Sequence, residues 1–155
     1  MTPSDLPAGW FTRAADRGLE RTFIAETGWP SSPICVQIQG VCTEYFSFTE
    51  QDQLDYLNRV LSDAQARGIY LVNWWSSRDL LPQRVATSCA LDPTDEWASV
   101  LDYFRNAIPG DPVTGELLLK VWGTMGFRDY DGALKATIGA RWQGALSTPI
   151  NPQAN

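Results

Sequence analysis

The residues best equipped for chemistry lie in the stretch "RTFIAETGWPSSP", Arg21 to Pro33. A short apolar run ends at Glu26, and Gly28-Trp29-Pro30 stops it abruptly. A second run, "IYLVNWW" (Ile69 to Trp75), ends in Asn73, Trp74 and Trp75. In parallel α/β architectures the reactive face lies at the carboxyl ends of the strands. Two such strand ends would set a carboxylate beside an aromatic wall. A carboxylate can attack or electrostatically stabilise an oxocarbenium-like centre, while an indole face stacks on the C–H surface of a sugar. Each residue also has a plainer reading. A glutamate at a strand end is often just solvated, and Trp74 and Trp75 alternate faces, so at least one belongs to packing. Trp29 reads equally as a rim contact or as a plug.

Composition narrows the chemistry further. The 155 residues contain no histidine, which excludes Ser-His-Asp and Cys-His nucleophile systems and His-built zinc sites. Acid–base work would fall to carboxylates, Tyr, Lys or Cys. A net charge of −6 without a basic stripe argues against nucleic acid as a partner and suits a neutral or cationic ligand. Seven tryptophans exceed what a core of this size needs, and tryptophan often serves as a flat platform. Cys35, Cys42 and Cys89 have no metal-binding spacing; a Cys35–Cys42 bridge across a loop is one pairing the order allows. Asp92, Asp95 and Glu96 raise the thought of calcium, but "LDPTDEW" reads more plainly as a helix N-terminus. No metal or cofactor is expected. With no apolar leader and no run of eighteen apolar residues, neither a signal peptide nor a membrane span is expected.

These side chains need elements to position them. The length and 44% apolar content predict one α/β domain over residues 1–150 with a tail over 151–155. Asp5 caps a first helix with Trp10, Phe11, Ala14 and Ala15 on one face, ended by Gly18. Residues 21–26 read as a fully buried strand and 27–48 as a long loop. Thr49 caps the clearest helix, whose stripe is Leu54, Leu57, Val60, Leu61 and Ala64 before Arg67-Gly68. Residues 69–75 form a second buried strand, completing a βαβ unit and a parallel sheet. Residues 76–93 read as loop, and Thr94 caps a helix bearing Trp97, Val100, Leu101 and Phe104. "LLLKVWGTMGF" reads as strand or irregular chain, "RDYDG" as a turn, and Leu134, Ile138, Trp142 and Ala145 as a last helix.

"FIAETGWPSS" resembles the nucleophile strand of clan A glycoside hydrolases, the (β/α)8-barrel retaining enzymes. Variants of Glu-Thr-Gly-Trp-Pro-Ser mark the seventh strand of the β-1,3-glucanases of family 17, and the galactanases of family 53 have a related strand. "YLVNWW" is similar to the tryptophan-ended eighth strand. "MGFRDYDGALKATIGARW" resembles the segment leading into the last barrel helix, except that Ala133-Leu134-Lys135-Ala136 departs from its Lys-Pro-Ala. The order and spacing match as well.

The resemblance implies an α/β fold made of the C-terminal portion of a TIM barrel, about strands seven and eight with flanking helices. It implies Glu26 as nucleophile, Trp29, Asn73, Trp74 and Trp75 as substrate contacts, and a β-linked polysaccharide such as galactan or β-glucan as ligand. A retaining mechanism needs a second carboxyl group about 5–5.5 Å away. In the family it ends the fourth strand, so the resemblance implies that this chain does not carry it; Glu44 and Asp79 are the nearest substitutes in sequence. A barrel of roughly 250 residues cut to its last quarter should leave open strand edges and self-associate through them. Two functions are therefore expected: a hydrolase segment, or a non-catalytic carbohydrate-binding remnant. An extracellular location follows from the resemblance alone.

Overall fold

The computed structural model describes residues 2–11, 13, 23–69 and 71–147. Its centre is a parallel pair of strands, β1 (Phe23–Thr27) and β4 (Leu71–Trp74). Helix α1 (Glu50–Ala66) lies between them in the chain. Thr49 and Asp52 form a capping box at its start: the Thr49 hydroxyl accepts from the Asp52 N–H, and the Asp52 carboxylate accepts from the Thr49 N–H. Gln53, Tyr56, Leu57, Val60 and Ala64 share the buried face, and Gly68 leaves the helix at φ 62°, the left-handed conformation a C-terminal cap requires. The chain is α/β, as the sequence predicts, with a βαβ unit at its heart.

The expected loop over 27–48 is instead largely a hairpin, β2 (Ile34–Ile38) and β3 (Val41–Phe46). Gln39 and Gly40 both have positive φ, 52° and 82°, which gives a two-residue turn the twist that antiparallel strands need. Ile34 and Val36 point into the core at 0% exposure, whereas β3 is almost entirely exposed. Of the cysteine pairings the order allows, the one formed is not Cys35–Cys42 but Cys42–Cys89. Cys35 pairs with Glu44 and Cys42 with Gln37, so the two cysteines sit diagonally on the ladder, and Cys35 stays free.

Other expectations change as well. β1 and β4 are not fully buried, because Phe23 and Leu71 face each other on an uncovered side at 61% and 51% exposure. "LLLKVWG" is the second half of a helix, Pro112–Gly123, and not a strand. The loop 76–93 contains a short helix, α2 (Gln83–Thr87). Helix α3 (Glu96–Ala107) is capped by Asp95, not Thr94. Then come α4 (Pro112–Gly123), capped by Asp111 with Pro112 at its first position, and α5 (Ala136–Ser147). Trp10 is largely exposed and not core; Ala14, Ala15 and Gly18 lie outside the described residues. The main core joins α1, β2 and the two strand ends through Trp29, Tyr56, Leu57 and Trp74. Among the described residues, no helix is long and apolar enough to cross a membrane.

Candidate functional site: an aromatic cleft around Glu26

Glu26 is the penultimate residue of β1 and is exposed. The ladder to β4 runs Phe23 to Leu71 and Ile24 to Val72, breaks, and resumes at Thr27 with Trp74. The break falls at Ala25–Glu26, and such an irregularity re-aims the side chain it carries. The Ala25 carbonyl is met by the Asn73 amide at 2.9 Å, and the Thr27 carbonyl by the Trp75 N–H at 2.7 Å. The strand end is thus held on both sides of Glu26.

Glu26 lines a cleft of about 520 Å³. Trp10 and Phe11 border it from the N-terminal segment, Phe23 from β1, Trp75 from just after β4 and Trp122 from α4. Among the described residues, Glu26 is the only charged one in its lining. Gly28 keeps the floor open: a Cβ there would lie 2.9 Å from the Met125 sulfur and 3.3 Å from the Trp75 Cβ. Tyr56, also in the lining, shares a hydrogen bond of 2.6 Å with the Thr27 hydroxyl, and burial pushes its phenol above the ordinary tyrosine range.

The predicted aromatic residues divide between cleft and core. Trp75 is 36% exposed in the cleft, with its ring centroid 5.8 Å from that of Trp122. Trp74 is 5% exposed, donates from its indole N–H to the Met125 carbonyl at 2.6 Å and packs on Tyr56 and Trp142. Trp29, at 7%, sits between Phe48 and Tyr56. Packing occupies the faces of both, so the assignment of Trp29 and Trp74 as substrate contacts is corrected to core. Asn73 acts on the backbone of β1 through its bond to Ala25. Two cleft residues, Trp122 and Trp10, are not legible as such in the sequence: "LLLKVWG" reads as strand or irregular chain, and Trp10 reads only as one residue of a helical face. The Asp111-Pro112 start signal was present for α4.

Neither suggested substitute carboxylate shares the cleft. Glu44 is exposed on β3, and Asp79 lines a second, polar cleft of similar volume with Lys135, Ser31 and Glu50. Asp79 accepts from the Gly126 N–H at 2.8 Å and from the Lys135 ammonium at 2.8 Å. Lys135 also donates to the Ser31 hydroxyl at 2.6 Å and the Gly126 carbonyl at 2.7 Å. Burial pushes the Asp79 carboxyl up and the Lys135 ammonium down, opposed in each case by the partner's charge. All three ammonium hydrogens have acceptors, so Lys135 clamps the segments after β1, β4 and α4 together. A Cβ at Gly126 would come within 2.3 Å of the Arg78–Asp79 backbone, so only glycine allows this approach. The Gln53 amide adds a tie, donating to the carbonyls of Trp29, Met125 and Gly126 at 2.9–3.1 Å.

Asp95 accepts from the Trp97 N–H at 2.9 Å and Asp92 from the Thr94 N–H at 2.8 Å, the work of a helix N-terminus. Among the described residues, no group of three or more Cys, Asp or Glu is placed to hold a metal ion. No family model matches the chain, and neither a curated protein nor a solved structure matches it.

Proposed function

We propose that the chain is a glycoside hydrolase-like segment that binds β-linked polysaccharide and carries the nucleophile of a retaining mechanism, Glu26. The observation that supports this best is an exposed carboxylate at a strand's carboxyl end, the one charge that the described residues bring to an aromatic cleft. In that mechanism a Glu26 oxygen attacks the anomeric carbon as the glycosidic C–O bond breaks, and a separate acid gives its proton to the leaving oxygen. Water then releases the sugar and regenerates the carboxylate. The parallel β1–β4 pair with α1 between is compatible with the last two strands of a (β/α)8 barrel, and we propose that relationship for the fold. An extracellular location goes with the same proposal.

A second reading has its own support. Among the described residues Glu26 is the only carboxylate lining the cleft, and a lone carboxylate cannot both attack and protonate. This favours a carbohydrate-binding remnant for the chain acting by itself. Hydrolysis of β-1,4-galactan and β-1,3-glucan by the purified chain separates the two. Release of reducing sugar, lost in Glu26→Gln, is the result expected of the enzyme. Binding without release identifies the remnant, and release that survives Glu26→Gln overturns the nucleophile assignment.

A further inference from the structure

We infer that Trp122 is a second sugar platform beside Trp75, and that the pair with Glu26 selects a neutral β-linked oligosaccharide chain over one of uronic acids. The inference rests on the carbohydrate reading and names what the same cleft would recognise. Trp122 lies near the end of α4, whose buried face carries Gly115, Glu116, Lys120 and Gly123. The tryptophan itself is 45% exposed and turns toward Trp75. A single exposed indole needs no explanation. Here Trp10, Trp75, Trp122 and Phe23 are all exposed and border one concavity, and a contiguous apolar surface of that kind marks a binding site.

The geometry bears on the occupant. The Trp75 and Trp122 rings are tilted by 41°, so they offer two facets and not one plane. One flat ligand covers a single facet. A chain of saturated rings that turns at each linkage can lay the C–H face of one ring on Trp75 and that of the next on Trp122. Hydroxyl groups on the other edge can donate to the Glu26 carboxylate, which accepts only. The charge bears on the chemistry. Among the described residues Glu26 is the sole charge in the lining, and the whole chain is acidic, so a uronate carboxylate meets repulsion from Glu26 and no cation from those residues.

The test is equilibrium binding to the full chain, followed by tryptophan fluorescence and calorimetry. The probes are a neutral β-1,4-galacto-oligosaccharide, a neutral β-1,3-gluco-oligosaccharide and a β-1,4-mannuronate oligomer. Glu26→Gln serves as the background for neutral sugars, so that turnover does not intrude. On it, Trp122→Ala is expected to weaken neutral binding about tenfold, Trp122→Phe to restore part of the loss, and Tyr103→Ala, outside the cleft, to change nothing. Mannuronate is expected to bind more weakly to the parent chain than to Glu26→Gln. Neutral binding that is unchanged by Trp122→Ala but lost in Trp75→Ala overturns the second platform and leaves the carbohydrate reading standing. Mannuronate binding that is indifferent to Glu26→Gln overturns the charge selection. If no neutral oligosaccharide binds any form, the carbohydrate reading itself fails.

Discussion

Tyr56 ties the core to the cleft: its ring packs on Trp29 and Trp74, while its hydroxyl bonds Thr27 next to Glu26. Burial raises its phenol, more than the Thr27 bond and the Arg59 charge lower it. A raised folded value means that the native state keeps a proton the unfolded chain has released. This contribution to stability is complete below the ordinary phenol value near 10 and is lost as pH rises through the higher folded value. A phenolate absorbance titration should show a step above the ordinary phenol range that is absent in Tyr56→Phe, whose alkaline loss of stability should be shallower. At neutral pH the same substitution should cost about 1–3 kcal/mol in urea unfolding, because the Thr27 hydroxyl loses its buried partner. A Tyr56→Phe titration that overlays the parent's would overturn this account. At this scale the sequence was legible for Glu26 and Trp75, whose strand-end positions follow from two short apolar runs. Trp29 and Trp74 were not assignable, since a tryptophan at a strand end looks the same whether its face meets solvent or Tyr56.

Secondary structure was legible where local signals were strong and failed where tertiary contacts decided. The Thr49–Asp52 box and Gly68 marked α1 at both ends. The hairpin was masked by Gly, Pro and Ser around it, although Ile34, Val36 and Ile38 alternate as a strand should. Lys120 interrupts an apolar run and hid α4; it is fully buried, donating to Glu116 at 2.5 Å and to the carbonyls of Cys35 and Ser88 at 2.5 and 2.8 Å. No sequence rule supplies such a partner set, because Cys35 is 85 residues away. The Cys42–Cys89 bridge likewise joins the hairpin to the segment after α2 across 47 residues. Loop-closure entropy for that span comes to about 4 kcal/mol. Cys42→Ser, or reduction of the native bridge, should therefore lower the unfolding free energy by up to about 4 kcal/mol. Cys35→Ser should change it far less. Equal losses for Cys35→Ser and Cys42→Ser would mean that the pairing is wrong.

On the scale of the whole molecule, the central sheet is thinner than a parallel sheet can be by itself. Parallel sheets in α/β proteins are covered on both faces, and a lone pair of strands is marginal in water. Here Ile24 and Val72 pack against the core on one face, while Phe23 and Leu71 lie side by side on the other with more than half of their surfaces exposed. Among the described residues, β1 pairs only with β4 and β4 only with β1, so each offers an outer edge of free backbone groups, a template for further pairing. A second copy that laid its own Phe23–Leu71 face or β1 edge on the first would satisfy both features. Sedimentation velocity should accordingly show the weight-average coefficient rising with protein concentration. Phe23→Lys with Leu71→Lys should hold the chain at the monomer value, since two charges on one small patch oppose both stacking and edge pairing. A parent chain that sediments as a monomer at every concentration would overturn the association. If the parent associates and the double variant does so equally, the contact lies elsewhere, and the exposed Leu80 and Tyr103 become the surfaces to test.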